Sequence, residues 1–242
     1  MCGRFTQQRS DAELADLFEA EPLTDYPGGR FNIAPTDPAS IVVERGERRA
    51  LTTYRWGLVP HWAKDRSIGT RFINARAETL ATSSAFRDAF ARHRCLVPAD
   101  GFYEWRRQPG RRQPFLFHAV DGEPLAVAGL WAGWHDRETD TVLRTFTIVT
   151  TAANQLMAPI HDRMPCLVPR DAWTMWLDPE LEDIGELQGL LVPAPDEDLE
   201  VYPVDTLVNN VRNDGPALIV PLASPTISAE PTGPTTDELG LL

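Results

Sequence analysis

The chain has 242 residues, 43% hydrophobic and 24% charged, ordinary values for a globular protein with a real core. No run approaches the roughly 18 apolar residues that span a bilayer, and the polar start MCGRFTQQRS contains no apolar signal segment, so membrane insertion and secretion are disfavoured. The formal charge of −12 is unevenly spread: residues 55–112 carry 12 basic and 5 acidic side chains, residues 171–242 one basic and 15 acidic. Local field, not net charge, decides whether a polyanion is attracted, so the basic block stays compatible with nucleic acid.

Ser10-Asp11-Ala12-Glu13 is a capping-box pattern ahead of Leu14, Leu17 and Phe18, predicting a helix that ends before Pro22. A turn at Pro27-Gly28-Gly29 precedes a β-rich stretch, Ile41–Glu44 and Ala50–Leu58. Ser84–Arg92 reads as a short helix with Phe86, Ala89 and Phe90 on one face. Cys95–Val97 is expected to be a buried strand that stops at Pro98. Phe102–Arg106 and Pro114–His118 form a predicted hairpin across Gln108-Pro109-Gly110, and Leu125–Trp131 and Leu143–Thr150 are two more strands. A short helix after Ala152, a helix at Ala172–Leu177 and a strand at Leu199–Val204 follow. Residues 223–242, rich in Pro, Thr and Glu, read as a disordered tail. With no repeat and no internal linker, one α+β domain over residues 1–222 is expected.

Cys2 carries the most unusual chemistry. Removal of Met1 would turn it into a 1,2-aminothiol, whose amine (pKa about 7.7–8.0) and thiol (about 8.5) both supply nucleophile near neutrality. With an aldehyde, the amine forms a Schiff base and the thiol closes a thiazolidine ring; with an amide or ester, the thiol is an acyl-transfer nucleophile. A small buried residue at a chain end is the structural alternative. In Phe72–Glu78, alternation places Asn74 and Arg76 on one face of an extended segment, where Asn can hold an oxyanion or sugar hydroxyl and Arg a phosphate. Glu104, set among Phe102, Tyr103 and Trp105, becomes a general acid or base near pH 7 if desolvated. His161, beside Asp162 and Arg163, has the side chain suited to proton transfer at neutral pH. Trp56 and Trp62 lie within the basic block, in the pattern of rings that stack on bases while guanidinium groups follow phosphates. Three unpaired-looking cysteines (Cys2, Cys95, Cys166) argue against a disulfide framework and for a reducing, cytoplasmic setting. The histidines show no metal spacing with them, so neither a metal site nor a cofactor is expected.

The order of these segments is more specific than any one of them. Met1-Cys2-Gly3-Arg4-Phe5, Asn32-Ile33-Ala34-Pro35, Trp56-Gly57-Leu58-Val59-Pro60, Asn74-Ala75-Arg76-Ala77-Glu78, the run Cys95–Trp105, His161-Asp162-Arg163-Met164-Pro165 and Asn210-Val211-Arg212-Asn213-Asp214-Gly215 together resemble the SOS response-associated peptidase (SRAP) family over about residues 2–220. The resemblance implies an α+β fold around a mostly antiparallel, barrel-like β core flanked by short helices, with a cationic cleft for single-stranded DNA. It implies action on abasic sites, with the mature Cys2 forming a thiazolidine crosslink to the sugar aldehyde, and lyase and Met1-removing peptidase activities besides.

On that resemblance Asn74 would orient the opened sugar or the amine, Glu104 would shuttle protons, and His161 would protonate the sugar as its ring opens. Arg4, Asn32, Pro35, Trp62 and Arg76 are the candidates for the DNA cleft. A monomer associated with DNA and with no membrane contact is the expected state. Two other readings stay open: an N-terminal-cysteine amidohydrolase such as a glutaminase, and a non-catalytic single-strand-binding module.

Overall fold

The computed structural model describes residues 2–46, 48–108 and 111–222. The chain first lays down β1 (Phe5–Gln7), α1 (Asp11–Leu17), β2 (Ala20–Pro22), β3 (Arg30–Ile33) and the pair β4 (Pro38–Arg45) and β5 (Arg48–Trp56). β6 (Asn74–Arg76) and α2 (Arg87–Arg92) lead into β7 (Arg94–Ala99). Two long antiparallel pairs follow, β8 (Gly101–Gln108) with β9 (Arg111–Ala119) and β10 (Leu125–Asp136) with β11 (Thr141–Ala152). β12 (Arg163–Pro165), α3 (Trp173–Leu177), α4 (Ile184–Gly189) and β13 (Leu199–Pro203) complete the order.

Five strands close on themselves. β11 pairs with β10, β10 with β7, β7 with β4 and β4 with β5, and β5 returns to β11 through the parallel pairs Arg55↔Thr145 and Trp56↔Phe146. A ring has no free edge to template wrong pairing. Beside it lies an open, antiparallel five-stranded sheet in the order β13-β9-β8-β1-β3. The expected α+β architecture with a barrel-like core is thus the observed one. Alternate residues of the ring strands feed two apolar clusters. Val42, Leu51, Leu96 and Val149 pack with Leu14 and Phe18 of the α1 region and with Trp173 and Trp176 of α3. Ile41, Val43, Val97 and Ile148 pack with Phe5, Phe102 and Phe117 of the open sheet. That second cluster also contains Cys2.

The elements depart from the sequence expectation in instructive ways. The capping box is present, with Ser10 and Glu13 bonded reciprocally, but α1 ends at Leu17. Glu19 adopts φ 54° and the next three residues run parallel to β5, so the chain turns where Phe18 stacks on Trp173 at 4.5 Å. The helix expected after Ala152 is a set of turns: Ala158 N–H bonds the Asn154 carbonyl, but Pro159 has no N–H to continue the ladder. Strand β7 runs through Pro98 instead of stopping there. Gln7 explains this, because its buried carboxamide accepts from Ser40 N–H at 3.0 Å and donates to the Ser40 and Pro98 carbonyls at 2.7 and 2.8 Å. It thereby satisfies the backbone groups where a proline interrupts pairing. The expected tail, residues 223–242, and Pro109-Gly110 of the predicted turn lie outside the described residues.

Candidate active site

The site forms where the open sheet meets the ring. The register of β1 on β8, Phe5↔Phe102 and Thr6↔Gly101, extends through the Arg4 carbonyl, which accepts from Tyr103 N–H at 2.9 Å. Continued by one more pair, it sets Gly3 opposite Glu104. Alternation then sends Phe5 and Phe102 into the core and leaves Arg4, Tyr103 and Trp105 on the other face, where Arg4 lies over the Trp105 ring at 5.6 Å.

From the ring side comes Asn74, at the start of β6, paired with Ile148. Its Nδ2 donates to the Cys2 carbonyl at 2.8 Å, whereas its buried Oδ1 has no hydrogen-bond partner among the described residues. Trp56 braces this contact from beneath. Fully buried, it donates Nε1–H to the Ile73 carbonyl at 2.8 Å and meets the Phe5 ring edge-on at 5.1 Å. One indole therefore touches both segments that carry the site.

Cys2 is 1% exposed, and its Sγ faces the Arg4 carbonyl at 3.8 Å. Burial first, and the negative charge of Glu104 second, push its thiol up to about 12. Glu104 is itself buried, at 3% exposure. Such a thiol is neutral at pH 7, so sulfur can attack only if its proton is taken as the bond forms. Cys95 and Cys166 are buried thiols as well, pushed up by desolvation in apolar surroundings.

His161 is half-buried in the segment between β11 and β12, next to Ile160, which packs against the cluster holding Cys2. Its Nδ1 stands 3.0 Å from the Arg163 backbone N–H, from which it accepts when unprotonated. The Asp162 carboxylate stands 2.9 Å from the same Nδ1, ready to receive it as a donor when the ring is charged.

The cleft candidates divide. Arg76 is exposed beyond the buried Ala75, as the alternation predicted, and Trp62 is 46% exposed with Nε1–H bonded to the Ser84 carbonyl. Pro35 is half-buried beside Thr36, a non-glycine residue at φ 81°. Thr36 N–H donates to the Trp56 carbonyl at 3.0 Å and the Asp37 carbonyl accepts from Trp56 N–H at 2.9 Å, and backbone held so against strain is typical of functional loops. Asn32 differs from the expectation. It is 2% exposed and its carboxamide is committed internally, so it cannot face a nucleic acid in this conformation. Arg4 is half-buried, and its Nη1 donates to Asn32 Oδ1 at 2.7 Å and to the Val208 carbonyl at 2.8 Å.

Two contacts carry no local sequence signal. The Arg163 guanidinium forks onto both Glu78 oxygens at 2.5 and 3.0 Å and also reaches the Thr150 carbonyl, tying the His161 segment to the end of β6. Glu78 and Arg163 lie within the quoted motifs, but nothing in their spacing shows that they meet. The other is the docking of residues 208–214 on β3. Among the described residues, no group of His, Cys, Asp and Glu could hold a metal ion, and no helix is long and apolar enough to cross a membrane.

Comparison with known proteins places the chain among relatives of known description. The chain is similar to the abasic site processing protein YoqW of Bacillus subtilis, at 40% identity over 90% of this chain and 99% of that one. It is similar to YedK of Escherichia coli, of the same description, at 34% over 92% and 100%. It also resembles HMCES of Gallus gallus at 30%, covering 79% of this chain and 66% of that one. A solved structure from Bacteroides thetaiotaomicron shares the fold, with TM-score 0.83 and 23% identity over 92% of this chain and all of that one. The family described as SOS response associated peptidase (SRAP) matches residues 1–211. With that match over most of its length and relatives at 34–40% identity covered nearly whole, the chain belongs to the SRAP family.

Proposed function

We infer that this chain processes abasic sites in DNA, capturing the aldehyde of the ring-opened sugar at Cys2 after Met1 has been removed. The observation that carries the reading is that Asn74 grips the Cys2 carbonyl at 2.8 Å while the Glu104 charge acts on its thiol. Relatives described as abasic site processing proteins supply the substrate class.

The chemistry balances without any cofactor. The freed Cys2 amine adds to the aldehyde carbon, and the carbinolamine loses water to give an iminium. The Cys2 sulfur then adds to the same carbon, its proton leaving to Glu104, and a neutral thiazolidine remains; aldehyde plus aminothiol gives heterocycle plus one water. The iminium charge attracts the electrons of a sulfur that burial otherwise keeps protonated, so proton removal and ring closure occur together. As the furanose opens, His161 in its charged form donates its Nε2 proton to the ring oxygen and becomes neutral, while the anomeric hydroxyl gives its proton to water as it becomes the aldehyde; Asn74 Oδ1 accepts from the sugar hydroxyl or the Cys2 amine. Holding amine, thiol and aldehyde in register supplies about 7–11 kcal/mol of the barrier lowering. Arg76, Trp62 and Pro35 line the path of the single strand.

A single-stranded oligonucleotide with one abasic site tests this. A covalent adduct that survives denaturation is expected, absent in Cys2→Ala and absent when the aldehyde is first reduced. Adduct formation by Cys2→Ala, or ammonia release from glutamine with no reaction on abasic DNA, overturns the reading.

A further inference from the structure

The segment after β13 has no place in the chemistry above, yet it is bonded along its length to β3, to Trp105 of β8 and, through Arg4, to the nucleophile's arm. Residues 206–209 form a 3-10 turn, and the chain then wraps over β3 to Gly215. Asn32 lies at its centre. Its Nδ2 faces three carbonyls of the segment: Asn213 at 2.7 Å, Asn210 at 3.1 Å and Val208 at 3.4 Å. Its Oδ1 accepts from Arg4, whose Nη1 also reaches the Val208 carbonyl. Asn209 Oδ1 accepts from Trp105 Nε1–H at 2.6 Å, and Trp105 is the ring beneath the Arg4 guanidinium. Asp214 fastens the far end, accepting from Phe31 N–H at 2.6 Å and Arg30 Nε–H at 3.1 Å.

We propose that residues 206–214 are a positioning strap for the reaction, with Asn32 and Asn209 as positioning residues that fix Arg4 and so hold residues 2–4 in register on β8. The physical need is plain. Among the described residues, the backbone pairing of the arm that carries Cys2 stops at Arg4 and Phe5 on β8 and β3, and the Asn74 bond to the Cys2 carbonyl is what its own backbone adds. A guanidinium with a stacked ring and two acceptors is a fixed post, and Arg4 is two residues from the sulfur. The strap touches no reacting atom; its effect is on how often the aminothiol sits correctly, a rate effect rather than an affinity effect.

This inference rests on the abasic-site reading, and its test separates the two. With the full chain, the crosslinking rate is measured against oligonucleotide concentration, and affinity is measured separately for a tetrahydrofuran-containing oligonucleotide that lacks the aldehyde. Asn32→Ala is expected to lower the saturating rate about tenfold with analogue affinity unchanged. Asn209→Ala, a milder surface change, is expected to lower it about threefold, and Asn209→Asp, which keeps the acceptor, to restore it. Amide exchange at Gly3, Arg4 and Phe5 rises in both alanine variants. Unchanged saturating rates, or a matching loss of analogue affinity, overturn the strap. Absence of any adduct with the unsubstituted chain sinks the functional reading instead, and the strap is then decided by the exchange data alone.

Discussion

The closed ring and the open sheet contribute to one site by different physical means. The ring holds Asn74 through a continuous apolar interior and Trp56, a fully buried indole. The sheet holds Cys2 and Glu104 through a three-residue strand and a web of polar contacts, the Asn32–Arg4–Val208 knot above all. A closed barrel resists deformation because every strand has two neighbours. A short arm on a sheet must be tied down one hydrogen bond at a time. Division of labour follows: the ring supplies a fixed reference, and the sheet supplies a short arm whose position is set by polar contacts.

Trp56→Ala strikes the ring and should have the largest effect. Truncating a buried tryptophan costs about 3–5 kcal/mol, and here it also removes the Nε1–H bond to Ile73 and the edge contact with Phe5. A large fall in the thermal midpoint, with crosslinking impaired even below it, is expected. A stable variant with normal crosslinking would mean that Asn74 is positioned from elsewhere.

Gln7→Leu cuts the joint between the two regions. Leucine fits the buried setting but leaves the Ser40 N–H and the Ser40 and Pro98 carbonyls without their partner. A loss of about 2–3 kcal/mol in denaturant unfolding follows from orphaning buried backbone groups. Retained stability would show that apolar packing alone joins ring to sheet.

The ring was more legible in the sequence than the sheet's fastenings, for a physical reason. Apolar runs such as Cys95-Leu96-Val97, all fully buried, announce themselves locally, as does the Ser10–Glu13 capping box. Cys2, Asn74 and Glu104 could be picked out because amine, thiol, carboxamide and carboxylate have individual chemistry, and the ordered motifs tied them to one family. What stayed hidden depends on contacts between distant residues. Asn32 stood among the cleft candidates on the family resemblance alone; its carboxamide is taken up by a segment 178 or more residues away, at Asn210 and Asn213, which no local pattern announces. Pro98 read as a stop because the side chain that bonds its carbonyl and both backbone groups of Ser40, Gln7, lies 91 residues earlier.

Glu104 offers a test in which two readouts move in opposite directions. Its charge helps to raise the Cys2 thiol from the ordinary 9.0 to about 12, so Glu104→Gln lowers that value and should speed alkylation of Cys2 by iodoacetamide near pH 8. On the proposed mechanism the same substitution removes the proton acceptor for ring closure and should slow adduct formation about a hundredfold. If both rates rise, Glu104 acts on the thiol only as a repelling charge. The alkaline side checks the same value. Between pH 9 and 12 the unfolded chain has released a thiol proton that the folded chain retains, so the stability linked to Cys2 is whole below pH 9 and drains away as pH climbs. Cys2→Ser should therefore flatten the alkaline loss of stability, by less than all three cysteines contribute together, since Cys95 and Cys166 act in the same direction.

The two arginines near the site give the smallest and most discriminating comparison. Arg76 comes from the ring and is exposed, whereas Arg4 comes from the sheet and spends its guanidinium on Asn32, Val208 and Trp105. A side chain that neutralises one phosphate of a single strand contributes about 0.7 to the slope of log affinity against log salt. Arg76→Ala should flatten that slope by about this amount and weaken binding a few-fold, leaving the saturating crosslinking rate alone. Arg4→Lys keeps the charge but cannot serve both acceptors in the plane and stack on the indole. It should leave the salt slope unchanged and lower the saturating rate. An exchange of these outcomes would move the phosphate contact from ring to sheet, and the rigid reference and the reactive arm would then no longer be separate parts of the molecule.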